Sequence, residues 1–168
     1  MKKTIEVIDS IINWVGRTAR WACVALILVL LYEVTARYAF NAPTNWAYET
    51  SMMLGCTIAA LGWAYTHLHN GHVRIDVFYD RLSPRRKAIS DVIGALLFFF
   101  PLLFILVYAA TEMVQFSWSI NEKWIESNWY PPALPIRILV LLGLLLFVVQ
   151  GAAQFVRDLY QMIRNKPL

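Results

Sequence analysis

Four long apolar runs, separated by short polar segments, dominate the pattern of hydrophobic and polar positions along the chain. Residues 92–110 form the clearest run, nineteen consecutive residues without a charged side chain. A helix needs about 20 apolar residues to cross a hydrocarbon core of about 30 Å. The pattern therefore predicts an all-α membrane protein, a single membrane domain with four transmembrane helices. The predicted spans are residues 21–40, 46–66, 88–112 and 136–156 of a domain that covers 1–168.

Two shorter amphipathic segments accompany these spans. In residues 4–16 the apolar side chains recur at helical spacing on one face, which predicts a short interfacial helix leading into the first span. The central loop, 71–87, also places apolar and charged residues on opposite faces of a short helix, which favours a membrane surface. Within the third apolar region, a helix is predicted from Pro84 to about Ile120, with a kink at Pro101.

Composition supports a membrane protein and argues against several other classes. Hydrophobic residues make up 59% of the chain and charged residues 15%, whereas a soluble domain carries about 25% charged residues. The sequence contains no nucleophile motif, phosphate-binding loop or dinucleotide fingerprint, so we expect neither an enzyme nor a bound cofactor. Its two cysteines lie alone in apolar runs, so redox chemistry has no support.

The basic residues are distributed unevenly between the two sides that four spans define. Twelve of the fifteen Lys and Arg residues fall in the N-terminal region, the central loop and the C-terminal tail. By the positive-inside rule, both termini and the central loop are expected in the cytoplasm. This topology, and not nucleic-acid binding, is our interpretation of the net charge of +4. No small-residue cleavage site follows the charged N-terminal region, so we expect the first span to be retained.

Three charged residues near the ends of the first two spans are the best candidates for a site. Glu33 and Arg37 are four residues apart, the favourable order for an ion pair within a helix, and a turn near Pro43 brings Glu49 to similar depth. Charges within a span are costly, so they usually pair or face protein or water. We favour a structural clamp or a contact to a partner subunit; an ion or substrate pathway is the alternative.

Other polar and aromatic side chains predict structural roles. The three histidines His67, His69 and His72 lie at one end of a span without a cysteine or carboxylate to complete a metal site, so we interpret them as interfacial. Gln150 and Gln154, one turn apart, are predicted to form interhelical hydrogen bonds. A belt of aromatic side chains is predicted at the outer membrane surface. Its members are Trp118, Trp124, Trp129 and Tyr130.

Two spaced motifs resemble those of a known family. Residues 37–49, RYAFNAPTNWAYE, match the pattern R-Y-x-F-N-x-P-x-x-W-x-x-E, and residues 72–76, HVRID, match H-V-x-I-D. These patterns are similar to the signatures of the small membrane subunit of TRAP transporters, the DctQ-like family. The resemblance covers nearly the whole chain. It implies roles in folding, partner packing or receptor docking for residues within the motifs. These are Arg37, Trp46, Glu49, His72 and Asp76.

The resemblance implies a three-part importer in the bacterial inner membrane. A periplasmic binding protein of the DctP type would capture an organic acid or similar solute. A large membrane subunit of the DctM type would then move the solute inward with a sodium gradient, without ATP. The small subunit, surrounded by membrane lipids, would scaffold the large one, which would hold the substrate and sodium sites. A stand-alone small oligomeric channel or transporter is the alternative.

Overall fold

The computed structural model describes residues 2–69, 71, 79 and 82–164, and over these residues the chain is helical without a β-strand. The long helices are α1 (Lys2–Ala39), α2 (Ala47–Leu68), α3 (Pro84–Ile120) and α4 (Leu134–Arg164). An isolated β-bridge between Lys123 and Pro132 lies in the loop that joins α3 to α4. The all-α prediction is confirmed for the described part of the chain.

Three of these helices, α1, α3 and α4, are long and apolar enough to cross a membrane. With 22 residues, α2 has the length of a span, but its apolar stretch is interrupted by three threonines and a serine and is not among those apolar enough to cross. Helix α2 packs against both α1 and α4, so much of its surface meets protein and requires fewer lipid-compatible side chains. The crossing of the membrane by α2 stays a prediction.

Helix α1 is continuous over 38 residues, although the sequence predicted a separate interfacial helix at 4–16. Ile5 and Ile12 from that segment are buried within the protein. Gly16 does not interrupt α1 but makes room for the ring of Tyr65, since a Cβ atom there would lie 2.2 Å from Tyr65 Cδ2. Most of the second predicted amphipathic segment, including 72–78, lies outside the described residues.

Helix α3 begins at Pro84 and ends at Ile120, as the sequence predicted. Ser83 is extended, with ψ of 155°, and Pro84 follows in the first turn, where its missing N–H needs no partner. A π-helical stretch, Ala95–Phe99, comes just before Pro101. Proline and π-helical stretches both accompany kinks in long helices, so the helix is irregular where a kink was predicted. At the other end, Asn121 adopts φ of 47° and ends the helix.

The helices pack in the order α1, α2, α4, α3, with α4 in contact with all the others. Accordingly 33% of the apolar window of α4 is buried, compared with 6% in α1 and 11% in α3. A buried cluster of Leu103, Ala110 and Leu144 joins α3 to α4. The two outer helices, α1 and α3, therefore each expose one broad side.

Specific contacts fix the direction of each helix pair. Helices α1 and α2 are antiparallel, since Tyr32 stacks on Trp46 at 5.7 Å while Asn13 Oδ1 lies 2.9 Å from His69 Nε2 at the other end. Helix α4 runs antiparallel to α3, because its early residue Arg137 bonds to the late residue Met113 of α3. We call the end with residues 40–46 and 121–133 the turn end, and the end with Lys2, Pro84 and Arg164 the tail end.

Candidate functional site

The turn between α1 and α2 is organised by the carboxylate of Glu33. Its Oε1 accepts a hydrogen bond of 2.9 Å from Arg37 Nε and a second from Arg37 Nη2. The other oxygen, Oε2, accepts hydrogen bonds from the backbone N–H of Thr44, at 3.1 Å, and from the Thr44 hydroxyl. The predicted Glu33–Arg37 pair is confirmed, and Thr44 ties this pair to the turn.

Residues of the first motif that lie in the turn also pack against α1. Asn41 takes a left-handed conformation with φ of 49°, and the N–H of Ala42 bonds to the carbonyl of Ala36 at 2.9 Å, which closes the helix end. The Trp46 ring stacks on Tyr32. The turn is thus held to α1 by two contacts, the hydrogen bonds of Thr44 to Glu33 and the stacking of Trp46 on Tyr32.

Glu49 does not join this cluster, and the predicted Glu–Arg–Glu arrangement is wrong in that respect. Its side chain is fully buried, and neither carboxylate oxygen has a hydrogen-bond partner among the described residues. The Arg37 guanidinium is held by Glu33 on its own helix, and the Arg37 side chain is 53% exposed. Glu49 lies in the first turn of α2, where the helix dipole offers the carboxylate partial compensation.

The remaining predicted site residues divide between the tail end and the undescribed part of the chain. His72 and Asp76 lie outside the described residues. His67 stacks on Phe99 at 5.2 Å and meets the edge of Phe147 at 5.5 Å, so this histidine joins α2 to both α3 and α4. His69 pairs with Asn13 of α1. Both described histidines thus make interhelical contacts, and His69 remains exposed at the surface.

The glutamines of α4 depart from the prediction of interhelical hydrogen bonds. Gln150 is fully buried, yet neither its Oε1 nor its Nε2 has a partner among the described residues. Gln154 bonds within its own helix, donating to Asp158 Oδ1 at 3.0 Å and accepting from Arg157 Nη1 at 3.2 Å. Arg157 itself forms an ion pair with Asp9 of α1. The α1–α4 link at the tail end is therefore ionic.

A second polar cluster, which the sequence did not predict, closes the turn end between α3 and α4. Arg137 donates to Glu122 Oε1 at 2.5 Å and to the backbone carbonyl of Met113 at 3.0 Å. Glu122 Oε2 accepts from the hydroxyl of the buried Ser117 at 2.5 Å. We call these four residues the loop clasp. Only the presence of Arg137 and Glu122 near the predicted span ends could have suggested it.

Two cavities lie between α2 and α3, and residues of α4 line both of them. At the turn end an apolar cavity of about 310 Å³ is lined by Cys56, Met113 and Val140. At the tail end a more polar cavity of about 200 Å³ is lined by Asp91, Gln154 and Asp158. Between these two levels lie Trp63 on α2, Leu103 and Val107 on α3, and Leu144 on α4, which belong to the buried cluster and its apolar neighbours. Packed apolar side chains therefore separate the two cavities.

The predicted aromatic belt is only partly found. Trp118, Trp129 and Tyr130 are exposed at the turn end, with Trp118 at 72%. Trp124 instead turns inward and lines the apolar cavity beneath the loop. The backbone N–H of Trp124 bonds to the carbonyl of Pro131 at 2.9 Å, which holds this part of the loop in place.

Comparison with known proteins decides the family. Residues 26–161, which include both motifs, match the family model described as "Tripartite ATP-independent periplasmic transporters, DctQ component". The chain belongs to this family. It is a family of transporter subunits and not of enzymes. Together with the three apolar helices long enough to span a bilayer, the match identifies a membrane protein of the DctQ component family.

A curated relative agrees with this assignment. The chain is 27% identical over 115 residues to the "Sialic acid TRAP transporter small permease protein SiaQ" of Vibrio cholerae serotype O1 (strain ATCC 39315 / El Tor Inaba N16961). The match covers 67% of this chain and 65% of that relative, just under two thirds of its length.

Proposed function

We propose that this DctQ-family chain scaffolds the large membrane subunit of a sodium-driven, binding-protein-dependent TRAP importer of organic acids or similar solutes. The family match over residues 26–161 carries the proposal. In this assignment the large subunit, of the DctM type, holds the substrate and sodium sites. A periplasmic binding protein of the DctP type delivers the solute. The chain described here anchors the fixed part of the large subunit in the bacterial inner membrane.

The packing supports an auxiliary role more than a stand-alone channel. A transport pathway needs polar groups that line a passage or broken helices around a central site. Between the described helices, the cavity at the tail end and the cavity at the turn end are separated by the cluster around Leu103 and Leu144. Broad exposed sides of α1 and α3 offer surface to lipid and to a larger partner.

The same proposal assigns structural roles to residues within and beside the first motif. Glu33, Arg37 and Thr44 fix the α1–α2 turn, and Trp46 packs that turn against Tyr32. With α2 as a fourth span, both termini lie on the same side of the membrane, and the distribution of basic residues supports the cytoplasmic side. The turn end then faces the periplasm, where the binding protein docks.

Purification with the partners tests this function. The tagged chain is isolated in mild detergent from its own host, and its companions are identified by mass spectrometry. We expect a large multi-span permease to be recovered, and gradient-driven uptake in liposomes only when that permease and a binding protein are both present. Uptake by this chain alone would establish the stand-alone alternative.

A substitution at Arg37 tests whether the Glu33–Arg37 pair has a structural role or belongs to an ion or substrate pathway. Arg37→Gln is expected to lower recovery of the complex and uptake by similar factors, because Arg37 holds the Glu33 carboxylate in place. If assembly of the Arg37→Gln complex is normal while uptake is lost, the structural role of this cluster is wrong.

A further inference from the structure

The turn-end half of α3 presents a polar stripe on the side that faces away from the rest of the protein. Tyr108, Glu112, Gln115 and Ser119 recur at helical spacing and are all exposed. The buried residues of the same helix segment, Ala110 and Ser117, lie on the opposite side, toward α4. Glu112 therefore points away from the described helices.

Glu112 has no ion pair or hydrogen bond within the described part of the chain. Two other carboxylates at the turn end are paired: Glu33 is held by Arg37, and Glu122 by Arg137. An unpaired carboxylate on an apolar helix is costly if it faces lipid tails, so such groups usually face protein or water.

Neighbouring contacts place Glu112 well below the turn end. Met113, the next residue, lines the apolar cavity with Cys56 of α2 and Val140 of α4, so these residues share one level. Cys56 lies about 13 Å along α2 from its first residue, Ala47, at a rise of 1.5 Å per residue. Trp118 and the end of α3 extend beyond this level. Bulk solvent at the helix end is thus not immediately beside Glu112.

The exposed side of α1 has the opposite character. Its outward residues from Val24 to Leu31 are apolar, including Ile27, Leu28 and Leu31, with exposures of 60% or more. This composition is that of a helix side in contact with lipid tails. Among the described residues, the exposed side chains of α1 between Val24 and Leu31 carry no charge, whereas the exposed side of α3 between Leu102 and Ile120 carries Glu112.

We propose that the polar stripe of α3, residues 108–119, is the surface that docks against the large membrane subunit, with a basic side chain of that subunit paired to Glu112. The proposal rests on the proposed function, because the large subunit is the partner that function requires. The exposed tyrosine and glutamine on the stripe supply further hydrogen-bonding groups for such a contact. The apolar side of α1 is left for lipid.

A second copy of this chain is a poorer occupant of the same surface. In a two-fold symmetric contact the same patch faces itself, which would bring Glu112 toward the Glu112 of the other copy. Two like charges repel strongly where water is excluded. A partner that carries a basic group avoids this cost.

Site-directed photocrosslinking tests the docking surface. Benzoylphenylalanine replaces Tyr108 or Gln115 on α3, or Leu28 or Leu31 on α1, in a chain co-expressed with its tagged large subunit. After illumination we expect an adduct with the large subunit from the two α3 positions and not from the α1 positions. Adducts from α1 alone, an adduct of twice this chain's mass from α3, or no protein adduct from either α3 position would overturn the proposal.

Charge substitution gives an independent readout. Glu112→Lys is expected to reduce the large subunit recovered with this chain by about tenfold or more, and Glu112→Gln by less, since the amide keeps the shape without repulsion. The matched control is Glu126→Lys, at an exposed carboxylate in the α3–α4 loop. Unchanged recovery with Glu112→Lys would contradict the proposal. Failure of the unsubstituted chain to bring down any large subunit would instead contradict the proposed function.

Discussion

At the scale of single residues, Thr44 explains how the α1–α2 turn is fixed. One carboxylate, that of Glu33, accepts from Arg37 on its own helix and from both the backbone and the hydroxyl of Thr44. The pair with Arg37 restricts the rotamer of Glu33, and the bonds to Thr44 connect that rotamer to the start of α2. The Glu33–Arg37 pair within α1 thus helps to fix the turn that follows this helix, through the bonds of Glu33 to Thr44.

We expect Thr44→Val to destabilise the turn, because the substitution removes the hydroxyl donor to Glu33 and keeps the side-chain shape. Thr35→Val is the matched control, since the Thr35 hydroxyl bonds only to the carbonyl of Leu31 in its own helix. Thermal unfolding in detergent and proteolysis between residues 40 and 46 provide the measurement. Equal effects of the two substitutions would show that the bond to Glu33 contributes nothing specific.

Gly143 is a residue at which α4 comes close to the backbone of α2. A Cβ atom at this position would lie 2.5 Å from the carbonyl oxygen of Ala60 and 2.7 Å from its carbonyl carbon. Because these are backbone atoms, they cannot move aside as a flexible side chain does. The small residue permits a close approach of the kind that stabilises helix pairs in membranes.

Gly143→Ala is therefore expected to destabilise the protein by about 1–3 kcal/mol, the usual cost of overpacking. For a chain of this size, each kcal/mol lowers the unfolding midpoint by about 2–4 °C. Gly62→Ala in α2 is the control, because a Cβ atom there meets nothing within 4 Å. A midpoint that falls no further with Gly143→Ala than with Gly62→Ala would show that the α2–α4 contact can relax.

At the scale of elements, the loop clasp holds the α3–α4 loop to the helices that it connects. Arg137 in the first turn of α4 reaches both Glu122, just past α3, and the carbonyl of Met113 within α3. Backbone bonds within the loop complete this arrangement, including Ala133 N–H to the carbonyl of Glu122 at 2.9 Å. The loop is therefore a packed part of the turn end.

Arg137→Gln is expected to cost about 1–3 kcal/mol, since hydrogen bonds to charged groups contribute about this much. The partly buried Glu122 would lose its cationic partner, and residues 121–133 should become more sensitive to protease. Lys123→Gln, an exposed loop residue whose backbone forms the bridge to Pro132, is the control. Equal protection of the loop in both variants would rule out a stabilising role for the clasp.

At the scale of the whole molecule, the four helices form a layered arrangement in which α4 is central and α1 and α3 are the outer members. The direction of each helix follows from contacts at both ends, such as Tyr32 with Trp46 and Asn13 with His69. If α2 crosses the membrane as the other helices can, the turn end and the tail end lie on opposite sides.

Cysteine labelling in whole cells checks that topology. In a chain whose native Cys23 and Cys56 have been replaced, Lys123→Cys is expected to react with a membrane-impermeant maleimide added outside. Arg86→Cys and Arg164→Cys, at the tail end, should react only after permeabilisation. Labelling of Arg86→Cys in intact cells would contradict this topology, either because α2 does not cross the membrane or because the orientation is reversed.

The sequence by itself determined the features that depend on neighbours along the chain. Apolar run lengths predicted the helices, Pro84 marked the start of α3, and the four-residue spacing of Glu33 and Arg37 predicted their ion pair. Two spaced motifs were enough to identify the family that the match over 26–161 established. These features are local because helix geometry fixes which residues within one element lie close together.

Only the tertiary structure decided which side of each helix meets another. Periodicity places Glu49 and Gln150 on helices, but the packing buries both without partners among the described residues. It likewise assembles the loop clasp and turns Glu112 outward. In a membrane both the core and the lipid are apolar, so hydrophobic pattern does not distinguish inward from outward sides. Helix rotation is set by contacts such as Gly143 against Ala60, which a sequence read alone does not specify.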